Sequence, residues 1–352
     1  MKKIIAYIVL IIFSVIYFLS IINPLMRKLA PLRYELKGAL GADNYKYGDL
    51  YGFSYLPLFK VNYTIIPPPV QLEKNKNINF YCICDSYIFG YPIGDSLLYG
   101  VNRYIQSRWF FDEVINEEID TTKTNFLMIE MAERNTRFFL SDSSDIYSKL
   151  IPANYPVNNN SVSYKKDLKQ NVEKVFSNTF INKNLEFNIF DYSFLTPLKE
   201  FKASMNYELF NRYNTDVVMS GNKRFLFYKP TVDTTTKESS FKYLSEKECS
   251  DMTSHLNSIY EYYHRRGFKY IYFSIIPNPV SLIEPSYSKY NELITKIQND
   301  PNLKVPFLDA QSILSNDPEK FYKKSDTHWN SYGFNMWLNK LNEILKKISE
   351  NK

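Results

Sequence analysis

Glycine is scarce in this chain, 10 of 352 residues, under half the ~7% usual in globular proteins. Glycine-rich loops that cradle phosphates therefore have little material to be built from. Cysteine and histidine are scarcer still, three of each, and three cysteines exclude a disulfide-stapled scaffold. No His-x-x-His or Cys-x-x-Cys spacing occurs, so neither a metal site nor a cofactor is expected. A dominant charge of one sign is also missing. The 43 basic and 37 acidic residues give a net charge of +6, and they are interspersed, as on a solvated surface. Nucleic acid is accordingly not an expected partner. What abounds is aromatic: 30 Tyr and 26 Phe within a 45% hydrophobic composition. That content excludes disorder and suits a core and a ligand cleft equally well.

Long apolar runs are absent but for one. After Lys2-Lys3, residues Ile4 to Ile22 carry no charge, and at 1.5 Å per residue they reach about 28 Å, the thickness of a hydrocarbon layer. A cleaved signal peptide would show a shorter apolar run and a small-x-small site. Residues 1–23 are therefore expected as an uncleaved transmembrane anchor through which the protein meets the membrane. Lys2 and Lys3 are outnumbered by Arg27, Lys28, Arg33 and Lys37 beyond the run, so the charge rule does not place the N-terminus in the cytoplasm. Placing the large domain outside the cytoplasm, in the periplasm or at the cell surface, rests only on the chemistry argued below.

Residues 24–75, with Pro24, Pro31, Pro57 and Pro67-Pro68-Pro69, read as a membrane-proximal stalk that also packs along the domain. From residue 76 to 352 the pattern is α/β. Strands are expected at 78–84, 125–131 and 269–276, with a short one at 305–309. Helices are expected at 98–118, 166–182, 287–298 and 331–348, and residues 152–165 read as a polar loop. Ser245 with Glu248 has capping-box spacing and opens a helix that Gly267 stops. Residues 217–228 read as a hairpin turning at Gly221-Asn222. Alternating strands and helices imply a mainly parallel sheet covered on both faces.

Two short stretches carry chemistry. The strand at 78–84 runs straight into Asp85-Ser86-Tyr87, and strand C-termini of a parallel sheet are where ligands bind. A serine there has an exposed hydroxyl with backbone amides beside it that can hold an oxyanion. Ser325-Asp326-Thr327-His328-Trp329-Asn330 precedes the last helix. Asp326 can take the Nδ1 proton of His328 and leave Nε2 to deprotonate a serine. Taken alone, Asp85-Ser86 reads as a helix cap and Asp-x-His as a surface loop. Together, one after the first strand and one before the last helix, they read as a Ser86–His328–Asp326 triad. The literal Gly94-Asp95-Ser96-Leu97 string follows no apolar strand and is a decoy. His255 and His264 fall on the capped helix and are read as structural.

These motifs, in this order, resemble the SGNH (GDSL-type) hydrolase superfamily. The closer likeness is to its alginate O-acetyltransferase-like branch, which has an Asp-Thr-His-Trp string before a helix. Phe321 to Gly333 is similar to that string's surroundings, Cys84-Asp85-Ser86-Tyr87 to the serine turn, and Ile275-Ile276-Pro277-Asn278 to a strand ending in Ile-Pro-Asn. The two halves stand in permuted order relative to the alginate enzymes. The resemblance implies a three-layer SGNH-like domain and a serine-dependent O-acetyltransferase or acetylesterase. Its acceptor would be a cell-envelope or exported polysaccharide, and its acetyl donor a multi-span membrane acyl-carrier protein. It assigns oxyanion or substrate contacts to Asp85, Asn135, Arg134, Tyr87 and Trp329. Asn135 is the candidate donor, while Arg134 can instead orient a loop through a carboxylate, and Asn278 can cap a turn. Tyr87, Trp109, Trp329 and Tyr332 either line a sugar groove or belong to the core. A second reading keeps the fold without catalysis, as an anchored carbohydrate-binding or assembly subunit.

Overall fold

The computed structural model describes residues 2–22, 41, 46–71, 76–91, 93–109, 113–140, 146–154 and 181–350. Their contacts divide into two compact units, one of residues 1–62 with 159–214 and one of residues 63–158 with 215–352. This grouping divides the chain at 62/63 and puts residues 181–214 with the N-terminal segment. The helix expected at 166–182 falls almost wholly outside the described residues, as does most of the loop expected at 152–165.

In the first unit the apolar run forms a 20-residue helix, Lys2–Ile21. It is long and apolar enough to cross a membrane, a description that a signal sequence also meets. Its last turn packs against the helix Ile181–Phe190: Asn184 Nδ2 donates to the Ser20 carbonyl (2.7 Å) and Asn188 Nδ2 to Ser20 Oγ (2.9 Å). The first of these bonds satisfies a carbonyl that the helix end leaves open.

The second unit is α/β. Its strands are β1 (Ile78–Cys84), β2 (Val101–Arg108), β3 (Ile115–Glu117), β4 (Thr124–Ala132), β5 (Leu150–Pro152), β6 (Val217–Met219), β7 (Leu226–Tyr228) and β8 (Tyr270–Ile276). The central sheet runs β2-β1-β4-β8, with every pair parallel. Beyond β8 a single parallel bridge, Phe273 to Phe307, is all that forms of the strand expected at 305–309. β6 and β7 pair antiparallel across residues 220–225, as the hairpin pattern predicts.

All seven residues of β1 are buried, because both faces of the central strand are covered. Tyr81 and Ile83 enter one apolar cluster with Leu256, Ile259 and Tyr263 of the helix Glu246–His264. Phe80, Cys82 and Cys84 enter another with Phe334, Trp337 and Leu341 of the helix Ser331–Glu350. The former helix starts as expected, with Ser245 Oγ accepting from Glu248 N at 3.1 Å, and Gly267 takes φ 90° after its end.

Two expected helices differ. Residues 98–118 form β2 and β3 instead of a helix. Val101, Tyr104 and Ile105 stand at helical spacing, but the run instead gains a parallel ladder along β1, a pairing with a distant strand that outweighs the local pattern. The helix expected at 287–298 shortens to Leu293–Gln298, since Glu292 at φ 58° breaks the chain direction before it.

Gly333 stands where a Cβ would come within 2.8 Å of the Phe321 carbonyl and 2.9 Å of Trp329 Cβ. Gly333→Ala is expected to lower stability by about 1–3 kcal/mol through overpacking. Gly94→Ala, with nothing within 4 Å of the added atom, is expected to leave the thermal midpoint nearly unchanged. Thermal denaturation of the two variants checks this.

Candidate active site

The sheet order reverses between β1 and β4, and in open parallel sheets the crevice at such a reversal receives ligands. β1 ends there in Asp85-Ser86 and β4 in Glu133-Arg134-Asn135. The turn Ser325–Asn330 enters the same place from the far end of the chain. Ser86 opens a four-residue helix with its side chain exposed, and its Oγ lies 2.7 Å from His328 Nε2. His328 Nδ1 lies 2.6 Å from Asp326 Oδ1, which also accepts the His328 amide at 3.0 Å. A carboxylate can only accept, so Nδ1 carries the ring proton and Nε2 faces the serine hydroxyl as acceptor. Asp326 is buried, which alone would raise its pKa. The His328 ring and the Lys323 ammonium, 3.1 Å away, outweigh burial and hold the carboxyl below the usual carboxylate range.

Tyr87 and Trp329 do not line a groove. Both are fully buried and join the two motifs. Tyr87 Oη donates to the Thr327 carbonyl at 2.6 Å, and Trp329 Nε1 donates to the Tyr87 carbonyl at 3.0 Å. The Tyr87 ring packs edge-on against both His328 and Trp329. The short helix after Ser86 turns its second residue inward, so these aromatic faces serve packing and are closed to a sugar. Trp109 is likewise core, stacked on Phe139, while Tyr332 is half exposed with the Lys320 ammonium over its ring.

The expected oxyanion donors are arranged differently. Asp85 is 2% exposed, and a buried carboxylate takes the nearest donors. It accepts Ser86 N at 2.6 Å and Ala132 N at 3.2 Å, and it also accepts Asn135 Nδ2. Asp85 therefore anchors the turn and offers a substrate oxyanion nothing, and the Ser86 and Asn135 amides are turned toward it. Arg134, expected to be either an oxyanion donor or a loop-orienting cation, reaches the nucleophile. Its Nη2 lies 3.4 Å from Ser86 Oγ and its guanidinium 5.3 Å over the Tyr87 ring. Asn278 stands at the N-cap position after β8 but makes no side-chain cap: Glu133 accepts its backbone amide at 2.7 Å, and its Nδ2 donates to Ser240 Oγ at 2.9 Å. His264 Nδ1 meets the Phe268 carbonyl, just past the end of its helix, at 3.3 Å, and His255 stacks on Tyr147. Ser96 sits in a one-turn 3₁₀ helix with its carbonyl bonded to Gln71 N.

Three supports were not foreseen. Glu130, fully buried in β4, accepts the Asp85 amide at 2.8 Å. Burial first, and the nearby Asp85 charge second, raise its pKa well above the usual range. A lone carboxylate inside an apolar strand was its signal in the sequence. Lys323, three residues before Asp326, is the second, and Tyr63 the third. The Tyr63 hydroxyl meets Ser325 Oγ at 2.8 Å and accepts Ser325 N at 3.1 Å, a pairing across 262 positions that no local pattern announces. Cys84 supplies no competing nucleophile, because hydrogen bonding with Cys82, together with burial, raises its pKa.

Two outcomes follow. Removing the Tyr87 hydroxyl in Tyr87→Phe leaves the buried Thr327 carbonyl without this donor, and is expected to lower stability by about 1–3 kcal/mol in denaturant titration. The raised pKa values of Glu130 and Glu133, both caused first by burial, mean that the folded state holds protons the unfolded state releases. That stabilisation is full below the unfolded value of ~4.3 and is lost as pH rises through the folded values. Melting curves across that range should show Glu130→Gln losing less stability with rising pH than the wild type.

Comparison with protein-family models, with curated proteins and with solved structures returned no match.

Proposed function

We propose that the second unit is an SGNH-like O-acyltransferase or esterase, acting on acetyl esters of cell-envelope or exported polysaccharide. The observation that carries this reading is the unbroken chain from Ser86 Oγ through His328 to Asp326, at 2.7 and 2.6 Å. The β2-β1-β4-β8 order with an additional bridge beyond β8, and helices packed on both faces, support the three-layer form. The apolar N-terminal helix supports a membrane-anchored protein, and the proposed polysaccharide chemistry alone puts its large domain outside the cytoplasm.

In this mechanism Ser86 Oγ attacks the acetyl carbon of the donor while its proton passes to His328 Nε2. Asp326, ionised, orients the ring and stabilises the imidazolium. Arg134, whose guanidinium reaches Ser86 Oγ at 3.4 Å, supplies positive charge to the oxyanion in place of the amides that Asp85 holds. The donor's leaving oxygen takes the proton from Nε2 as the tetrahedral intermediate collapses to an acetyl-serine. A sugar hydroxyl then gives its proton to Nε2, attacks the acetyl carbon and releases Ser86 reprotonated. Water in the same role makes the protein an esterase. By analogy with the alginate system, the donor is a multi-span membrane acyl carrier.

A second reading, a non-catalytic carbohydrate-binding or assembly subunit, is favoured by one observation. Asp85 occupies the Ser86 amide and Asn135, so the usual amide oxyanion pocket is not preformed.

The full chain in detergent, given an acetyl ester reporter, is expected to turn over. Ser86→Ala and His328→Ala are each expected to reduce the rate about 10⁴-fold or more. Arg134→Gln is expected to lower kcat by roughly 10²–10³-fold, with Arg134→Lys recovering part of the loss. A wild type without turnover, whose polysaccharide binding survives both triad substitutions, establishes the second reading instead.

A further inference from the structure

The helix Thr196–Phe210 in the first unit has its polarity inside out. A surface helix of a soluble protein turns its apolar stripe inward. Here Leu198, Phe201, Met205 and Leu209, spaced three, four and four apart along one face, are 41–65% exposed. Phe194 and Phe210 extend the patch at its two ends, at 57% and 61%. The positions between them, Lys199, Glu200, Ala203, Ser204, Asn206 and Tyr207, are half-buried. This orientation is held by specific contacts. Lys199 Nζ donates to Tyr55 Oη at 3.0 Å and to Asp191 at 3.4 Å. Glu200 pairs with Lys60 at 2.7 Å and accepts the Tyr51 hydroxyl. Rotating the helix to hide its apolar face would break these bonds, so the fold commits the face to an outside environment.

The occupant is indicated by what the same unit contains. The apolar helix Lys2–Ile21 is closed at its last turn by Asn184 and Asn188, which sets a polar boundary at the end of the apolar run. The helix bearing those asparagines ends at Phe190, six residues before Thr196. A chain anchored by Lys2–Ile21 thus carries a second apolar surface a short tether from the anchor. Lys202 on that exposed face and Arg212 just past it, both exposed, suit anionic headgroups, with exposed Glu208 the single opposing charge at the edge of the face. A helix of this kind lies in the plane of a bilayer, with its apolar side chains sunk ~5–10 Å below the headgroups.

We propose that the Thr196–Phe210 helix is an in-plane membrane-binding element, seated on the lipid surface beside the anchor through Leu198, Phe201, Met205 and Leu209. The proposal is independent of the catalytic reading. It requires only that the N-terminal helix be in the bilayer.

Tryptophan emission tests it, because Trp109, Trp329 and Trp337 are all buried and supply a constant background. The full-length Phe201→Trp variant is reconstituted into phosphatidylcholine–phosphatidylglycerol vesicles, with and without brominated acyl chains. Tyr207→Trp, on the inward side, is the control. The emission added at 201 should lose most of its intensity in bromolipid and little to aqueous iodide, and the control should respond less to bromolipid. Quenching at 201 by iodide alone, meaning water, overturns the proposal. So does indifference to both quenchers, which means that a second copy or another protein covers the face. A chain that fails to float with the vesicles removes the anchor and overturns the proposal as well, while acetyl-ester turnover by the same preparation reports separately on the triad.

Discussion

A pair of hydrogen bonds joins stretches of chain some 240 residues apart, and the candidate site depends on it. Tyr87 gives its hydroxyl proton to the Thr327 carbonyl, and Trp329 gives its indole proton to the Tyr87 carbonyl. Each motif's neighbouring residue is thereby bonded to the other motif, in a dry interior where such bonds are strong and their loss is costly. With those neighbours locked, Ser86 and His328 have little freedom to separate. The two aromatic residues act by position, as the frame that holds a hydroxyl and an imidazole at hydrogen-bonding distance.

A second constraint lies one layer deeper. Asp85 and Glu130 are both acidic and both buried below the serine, and the Asp85 amide bonds to Glu130 while the Asp85 carboxylate gathers four donors, the Ser86 amide and hydroxyl, the Ala132 amide and the Asn135 side chain. Burial favours the protonated form of Glu130, which avoids two adjacent buried negative charges. The arrangement fixes the β1 turn firmly. It also draws away the amides that a serine site of this kind would use for an oxyanion, and it leaves Arg134 as the charged group beside Ser86 Oγ. Rigidity at the nucleophile and openness at the oxyanion position pull in opposite directions here.

The two units present opposite surfaces to their surroundings. The α/β unit buries its apolar residues against both faces of a sheet. The first unit buries Leu50, Leu56 and Phe59 but exposes other apolar residues on the N-terminal helix and again on the Thr196–Phe210 helix, where Lys199 and Glu200 pair inward. Polar pairs on the inner side of a helix carry apolar residues outward on the other.

What could be read from the chain by itself was local. The apolar run, the first strand, the capping box at Ser245, the hairpin and the Asp-x-His string each depend on neighbours a few positions away, which is the range over which periodicity and capping act. The α/β class followed from their alternation. Residues 98–118 were misread because an amphipathic edge strand of a parallel sheet is selected by its partner, and β1 supplied the ladder. Whether Tyr87 and Trp329 faced a sugar or the core, which amides Asp85 would claim, and that Tyr63 would brace Ser325 were settled only by the tertiary structure. Those outcomes depend on donors and acceptors brought together across tens to hundreds of residues, and no local pattern encodes which of them meet.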